Sequence, residues 1–112
     1  MTPSYTLADV DLRHERDPEH FQVLPLEARR RLRKGMRVKL VFEPVLPSED
    51  GPSGERMWIE IDEVSGDGED RRYRGTLLNT PVVFHQELRL GDRISFGPEH
   101  VADVDRPAPP AR

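Results

Sequence analysis

The sequence predicts an α+β domain, with a small, strongly bent antiparallel sheet or an SH3-like half barrel of four to five strands and one short N-terminal helix. Three observations lead to this prediction. Short segments alternate apolar and polar residues with the two-residue period of a strand. Turns rich in glycine and proline separate these segments, and only one stretch has the composition of a helix. At 112 residues, the chain is long enough for one domain with one core.

Composition divides the chain into three parts. Residues 1–19 are polar, contain two prolines and show no sustained period, which predicts a flexible N-terminal arm. Residues 20–105 carry the periodic segments and are the predicted compact β-rich domain. Residues 106–112 include three prolines, which predicts a disordered tail.

The first periodic elements are a helix and a strand. Residues 25–34 begin with proline, carry Glu27 near the positive end of the helix dipole and are followed by Gly35, a typical stop. Residues 36–43 then alternate, with apolar side chains predicted to face the core. Val41 is the one apolar residue on the polar side of this strand.

A hairpin is predicted next along the chain. Residues 44–54 contain three prolines and two glycines, which predicts a loop. Within residues 54–64, Met57, Ile59 and Ile61 alternate with Trp58, Glu60 and Asp62, so one face of this strand is apolar and the other is polar. The polar face carries Trp58, Glu60 and Asp62, and Trp58 is the only tryptophan of the chain. After a turn that begins at residues 65–68, residues 71–78 are predicted to return as the second strand.

The last elements are shorter. Residues 82–84 form a short apolar piece, residues 93–96 are predicted to be a strand, and residues 99–104 fit either a helical turn or a final strand. Gly35 and Gly91 precede their strands in the same way, followed by any residue, an arginine and a β-branched residue. Glycine permits a positive φ at such an entry, so we interpret the similarity as convergence on one turn type.

Charge is distributed unevenly along the sequence. The formal net charge is -4, yet residues 29–39 hold seven basic residues and no acid, and residues 43–70 hold ten acids and one base, Arg56. The basic side suits nucleic acid and the acidic side suits a basic partner, although both also fit solvated faces that attract each other. The absence of cysteine excludes disulfides and thiolate metal sites. No apolar run suits export or a membrane span, so we expect a cytoplasmic protein.

Three segments form a more specific pattern: GERMWIEI at residues 54–61, YRGTLLNTP at residues 73–81 and LGDRISFGPEHV at residues 90–101. Together they resemble the bacterial YegJ-like domain family, whose function is not established, over about residues 35–104. The resemblance implies a compact β-rich domain, cytoplasmic in most settings and sometimes found near toxin and immunity genes. Family members commonly carry an acid where Thr80 stands, so a charged contact at this turn is not carried over. The family offers no catalytic residues.

Our leading hypothesis is a noncatalytic protein-binding or accessory module, which the resemblance extends to an immunity-like role. The candidate site is an acidic aromatic face that consists of Trp58, Glu60, Asp62, Glu55 and Asp50. An aromatic ring beside carboxylates suits a guanidinium or ammonium group, so the expected partner is a protein with a basic surface. The alternative is that the helix or a loop covers Trp58, in which case the ring belongs to the core.

Two other functional classes stay open. A nucleic-acid-binding domain would use the basic segment of residues 29–39, with a stripe on the predicted helix made of Arg29, Arg30, Arg33 and Lys34. The net negative charge and the small number of aromatic residues argue against it.

A metal-dependent enzyme would use the carboxylates Glu60, Asp62, Glu63 and Glu43. A zinc site would need folding to gather histidines that lie far apart, namely His14, His20, His85 and His100. The sequence has no phosphate loop, nucleophile elbow or zinc-protease helix, so we expect neither an enzyme nor a cofactor.

Overall fold

The computed structural model of the protein describes residues 4–46 and 54–105. The described residues form six strands: β1 Tyr5–Leu7, β2 Arg37–Pro44, β3 Glu55–Ser65, β4 Arg72–Leu77, β5 Arg93–Phe96 and β6 Val101–Asp105. They also form two short α-helices, α1 Val10–Arg16 and α2 Leu26–Arg29, and two 3₁₀ turns, Gly68–Asp70 and Pro98–His100. No helix in these two stretches of chain is long and apolar enough to cross a membrane.

All strand pairs are antiparallel, and the sheet curls into a half barrel. The strands follow the order β1-β2-β3-β4-β5, and β6 returns to pair with β2. One edge of β2 pairs with β3, so β1 and β6 share its other edge, β1 near Phe42 and β6 near Val38. The prediction of a small, strongly bent antiparallel sheet is confirmed, with six strands instead of four to five.

The concave face of the sheet holds the main core. Side chains alternate across a pleated strand, so the apolar positions of each strand point to the same side. The fully or almost fully buried residues on the strands are Val38, Leu40, Phe42, Met57, Ile59, Ile61, Tyr73, Leu77, Ile94, Phe96 and Val101. Burying one such large side chain stabilises the fold by about 1.5–3 kcal/mol, so this face dominates the stability of the domain.

The N-terminal segment differs from the predicted flexible arm. Within residues 4–19, β1 pairs with β2, α1 follows, and Val10 is fully buried. The segment packs over Val41, the residue that breaks the polar pattern of its strand, and Phe21 completes this second apolar cluster. The segment that precedes α2 thus buries Val41 on the outward side of β2.

The predicted helix over residues 25–34 is much shorter than expected, since α2 ends at Arg29. The hydroxyl of Tyr73 donates to the carbonyl oxygen of Arg29 at 2.6 Å and accepts from the amide of Leu32 at 3.2 Å. Both backbone groups would otherwise bond within a continued helix. A buried tyrosine on β4 therefore ends the helix, and sequence periodicity gives no sign of such a contact.

The remaining elements follow the sequence closely. β3 and β4 form the predicted hairpin. Residues 99–104 were predicted to be either a helical turn or a strand, and each alternative is partly right, because a 3₁₀ turn leads directly into β6. Gly35 and Gly91 have φ values of 93° and 94°, which confirms the predicted positive φ at both strand entries. The tip of the predicted loop, residues 47–53, and the predicted tail, residues 106–112, lie outside the described residues.

Candidate functional site

The outward face of the curled sheet carries the residues that the sequence singled out. Strand register orders them, because Arg37 lies opposite Glu60, Lys39 opposite Trp58, and Val41 opposite Arg56. We divide this face into two regions. The paired row consists of Arg37, Glu60, Asp62, Thr76 and Arg93. The open patch consists of Lys39, Arg56 and Trp58.

Contacts within the sheet occupy the carboxylates of the paired row. Arg37 Nε lies 3.4 Å from Glu60 Oε1. Asp62, at an irregularity in the pairing of β3 with β4, accepts a hydrogen bond of 2.8 Å from Thr76 Oγ1 and forms an ion pair with Arg93 Nη2. Neighbouring strands thus balance the two acids that were predicted to attract a basic partner.

Glu55 has a structural contact that the sequence did not reveal. Its carboxylate accepts the backbone amides of Val82, Val83 and Phe84, at 2.7, 3.0 and 3.4 Å. These bonds fix the chain between β4 and β5 against the start of β3, so Glu55 has a structural role that its assignment to a partner-binding site did not include. Asp50, the other acid of the predicted site, lies outside the described residues.

Trp58 is half-buried, so it is neither sealed in the core nor fully exposed. Its backbone amide donates to Asn79 Oδ1, and its carbonyl oxygen accepts the amide of Leu78 at 2.9 Å. Lys39 Nζ lies 4.8 Å from the centroid of the indole ring, a cation–π contact. The backbone around Trp58 is therefore fixed, and part of its ring remains accessible.

A cavity of about 350 Å³ adjoins the open patch. Residues 20–24 form one wall, Lys39 and Arg56 line it from the sheet, and Ala102 and Asp103 of β6 close another side. The lining combines apolar, cationic and hydrogen-bonding groups. Such a mixture is typical of pockets that orient a small ligand or one or two side chains of a partner.

Phe21 fixes the wall that the N-terminal segment contributes to this cavity. Its side chain is 7% exposed, and its ring centroid lies 5.3 Å from the guanidinium carbon of Arg13 and 5.5 Å from that of Arg56. His14 Nδ1 donates to the carbonyl oxygen of Phe21 at 2.7 Å. Arg13 in turn lies 3.4 Å from Glu43, so the wall is tied to both α1 and β2.

The open patch is cationic, whereas an acidic aromatic face was predicted. Neither Lys39 nor Arg56 forms an ion pair with any carboxylate in residues 4–46 and 54–105. Asp103 is the one acid that lines the cavity, and its carboxylate accepts the amide of Val104 at 2.8 Å. Of the acids predicted beside Trp58, Glu60 and Asp62 contact groups on neighbouring strands, and the charged group over the ring itself is Lys39.

Folding disperses the predicted basic stripe. Arg29 is 2% exposed, and its guanidinium pairs with Asp11 at 2.8 Å and donates to the carbonyl oxygens of Leu24 and Pro98 at 2.8 and 3.1 Å. Its role is structural, because it ties α1 and α2 to the 3₁₀ turn before β6. The other three predicted residues, Arg30, Arg33 and Lys34, lie in the turn after α2, so they do not share a helical face.

The carboxylates of the proposed metal site do not converge. Glu43 pairs with Arg13 near the end of β2, six residues from the Arg37 that contacts Glu60, which is about 20 Å along a strand. Glu63 is exposed opposite Arg74. Within the part of the chain that the structure describes, no group of three or more His, Asp or Glu side chains is arranged to hold a metal ion.

The histidines have separate local contacts. His20 pairs with Asp17 at 2.8 Å, and His100 Nδ1 accepts the amide of Gly97 at 3.0 Å. Burial lowers the pKa of His100 below its ordinary value of 6.5, and this effect outweighs the opposing charge of the nearby Glu99. The neutral imidazole therefore serves as a backbone acceptor inside the fold.

Sequence reasoning missed Arg56 and Phe21 as residues that shape the site, and it assigned Lys39 to the basic stretch of residues 29–39 instead. Two signals pointed to them. Val41 is apolar on an outward face, which indicates a covering segment, and Arg56 is the one base in an acidic stretch. Phe21 was included in the predicted compact domain, but no pattern in its own segment showed where its ring packs.

Comparisons of the chain with protein-family models, with curated proteins and with solved structures give no match. The resemblance to the YegJ-like family therefore stays a prediction.

Proposed function

We propose that the protein is a noncatalytic protein-binding module whose partner docks on the open patch. One observation carries this proposal: the only tryptophan of the chain lies half-buried on the outward face of the sheet, in contact with Lys39, which lines a cavity of about 350 Å³. Tryptophan and arginine are enriched among the residues that dominate binding energy at protein interfaces. Trp58 and Arg56 are thus the residues from which we expect most of the affinity.

The architecture supports a finer description of the module. A 3₁₀ turn, Pro98–His100, links β5 to β6, and β6 pairs with β2, the first long strand. This connection supports the expected SH3-like half barrel. A rigid curled sheet suits a binding module because it holds the side chains of its outward face in fixed positions before the partner arrives. The immunity-like role rests on the family resemblance alone.

Pull-down from the native host tests the proposal, with the wild-type protein and the Trp58→Ala variant as baits. We expect the variant to lose a protein partner that the wild type retains, because truncation removes the largest accessible ring of the patch. Leu90→Ala is a matched control, because Leu90 is an exposed apolar residue, 61% exposed, in the turn before β5. The control is expected to keep the partner.

Identical partner sets for the wild type and Trp58→Ala would contradict the proposal. Circular dichroism and a thermal melt on each variant separate lost binding from lost folding. A Trp58→Phe variant adds a further check, since it keeps a ring at the site and should retain part of the binding.

A second candidate function is nucleic-acid binding through the turn after α2. The specific observation is that Arg33 and Lys34 are exposed and form no ion pair within the described residues. Such binding would weaken steeply as salt rises, because each phosphate contact releases counterions. A binding titration with a short oligonucleotide at about 50 mM salt tests it, and no binding under that condition would remove the candidate.

A further inference from the structure

The cavity beside Trp58 contains a charge arrangement that the protein does not balance itself. Lys39 and Arg56 both line it, and neither forms an ion pair with a carboxylate of the described residues, although Asp103 lies opposite Lys39 in the sheet. In contrast, Arg37 and Arg93, on the same outward face, each pair with an acid. The two unpaired cations are therefore concentrated where the surface is also concave.

Aromatic rings hold both cations in place. Lys39 Nζ lies 4.8 Å from the centroid of Trp58, and the guanidinium carbon of Arg56 lies 5.5 Å from the centroid of Phe21. A ring face attracts a cation through its quadrupole but supplies no full counter-charge. These contacts fix the positions of two positive groups and leave them able to donate hydrogen bonds to an anion.

The rest of the lining is partly apolar. Phe21, Val23, Leu24 and Ala102 contribute to it. Asp103 also lines the cavity and offsets one positive charge, so the cavity keeps a net positive charge from the two cations on the sheet. A ligand that fits must therefore present an anionic group next to an apolar one.

We propose that this cavity binds an acidic segment of the partner protein, with a carboxylate placed between Lys39 and Arg56 and a neighbouring apolar side chain against Phe21. The inference rests on the proposed function and defines the chemistry of the partner. It reverses the expectation of a basic partner, which followed from acids that the structure finds engaged within the fold.

Two features favour a peptide carboxylate over the phosphates of a nucleic acid. Trp58 already carries Lys39 on its ring and is half-buried, which leaves little room for a base to stack. The net charge of -4 repels a polyanion at long range, whereas a short acidic segment experiences mainly the local cations. The small apolar lining also suits an aliphatic side chain.

Fluorescence titration of the full chain tests the inference, because all of its tryptophan emission comes from Trp58. The probe is a blocked hexapeptide of alternating glutamate and leucine, added at about 50 mM salt. A blocked hexapeptide of alternating lysine and leucine has the same apolar content and the opposite charge. We expect a saturable change in emission with the acidic peptide and none with the basic one.

Side-chain variants locate the binding. Lys39→Gln and Arg56→Gln should each lower the affinity for the acidic peptide by at least about tenfold, because a charge-assisted hydrogen bond is lost. Arg74→Gln is the matched control, since it removes an exposed arginine that also forms no ion pair within the described residues and changes the net charge equally. It should change the affinity by less than about twofold, as expected for a distant screened charge. Lys39→Arg should retain binding.

Three outcomes would overturn the inference: no binding of the acidic peptide, equal losses in all three glutamine variants, or tighter binding of a twelve-nucleotide oligothymidylate than of the peptide. The captured partner separates this failure from failure of the proposed function. If Trp58→Ala loses the partner while Lys39→Gln and Arg56→Gln keep it, the binding module stands and the acidic-segment inference fails.

Discussion

The paired row and the open patch, the two regions of the outward face, differ in what their cationic side chains contact. Both include residues of β2 and β3, the paired row extends onto β4 and β5, and both carry cationic side chains. In the paired row, Glu60 and Asp62 bond to Arg37 and Arg93. In the open patch, the cations contact rings instead of acids, and a cavity lies beside them.

The difference shows that strand register decides which charges remain available for a partner. Trp58 and Glu60 are two residues apart and point to the same side, yet their cross-strand neighbours are Lys39 and Arg37, respectively. Glu60 forms an ion pair with Arg37, whereas Trp58 contacts Lys39 only through its ring. The acidic composition of β3 is thus a poor guide to the charge that a partner meets.

The largest expected loss of stability comes from β3, where Ile59 faces the core and Trp58 faces outward. Ile59→Ala should lower the free energy of unfolding by about 2–5 kcal/mol, because Ile59 is fully buried and truncation leaves a cavity. Trp58→Ala should lower it by less than about 3 kcal/mol, because the ring is half-buried. Chemical denaturation measures both. A larger loss for Trp58→Ala than for Ile59→Ala would assign the ring to the core and remove the open patch.

The next largest loss of stability is expected where Arg29 anchors residues 20–24, which form one wall of the cavity. Arg29→Met should lower the free energy of unfolding by about 1–3 kcal/mol, since the buried carbonyl oxygens of Leu24 and Pro98 lose a donor. Asp11 is half-exposed and can be solvated, so its lost ion pair adds little. Chemical denaturation measures the loss. Arg31→Met, at an exposed neighbouring position, is the control, and an equal loss there would contradict the anchoring role of Arg29.

The dependence of stability on pH reports on the turn that joins β5 to β6. Burial lowers the pKa of His100, so the unfolded chain takes up a proton at this residue more readily than the folded protein. The neutral His100 ring contributes stability above pH 6.5, the ordinary pKa of histidine. This contribution decreases as the pH falls below 6.5, because the unfolded chain then binds the proton first. Glu99 and Asp9 oppose the shift and Arg72 adds to it, so burial sets the direction.

We therefore expect the wild type to lose more stability between about pH 7 and pH 5 than His100→Gln, which does not titrate at this position. Denaturant unfolding at the two pH values, compared between the two proteins, isolates this contribution. Equal losses would mean that His100 takes up its proton in the folded state as readily as in the unfolded chain.

The smallest effect is expected in the paired row. Arg93→Gln should change the free energy of unfolding by less than about 1 kcal/mol, because both partners of its ion pair are partly exposed. It should also leave partner capture unchanged, since Arg93 lies outside the open patch. Denaturation and pull-down measure the two quantities. Loss of the partner in this variant would place the binding surface on the paired row and break the distinction between the regions.

Much of the fold was predictable from the sequence because local patterns encode it. The alternation in β2 and β3, the turn between β3 and β4, and the glycines before β2 and β5 all follow from backbone and burial rules that act over a few residues. The early end of α2 was not predictable, because it depends on Tyr73, a residue more than forty positions away from Arg29.

The candidate site was predictable only in part. Trp58 follows from strand periodicity, and its position on the outward face is as expected. Its charged surroundings depend on three facts of tertiary structure: the register of β2 against β3, the segment that carries Phe21, and the return of β6. None of these leaves a pattern within one segment, so the sequence identified the ring but not the cations and the cavity around it.

Mapping of backbone amide shifts by nuclear magnetic resonance tests the central claim most directly. The labelled protein is titrated with the partner that the wild type captures. Our account predicts that the largest shifts occur at Lys39, Arg56, Trp58 and residues 20–24, with small changes in the paired row. Largest shifts at Glu60 and Asp62, or in the basic turn after α2, with the open patch unperturbed, would contradict it.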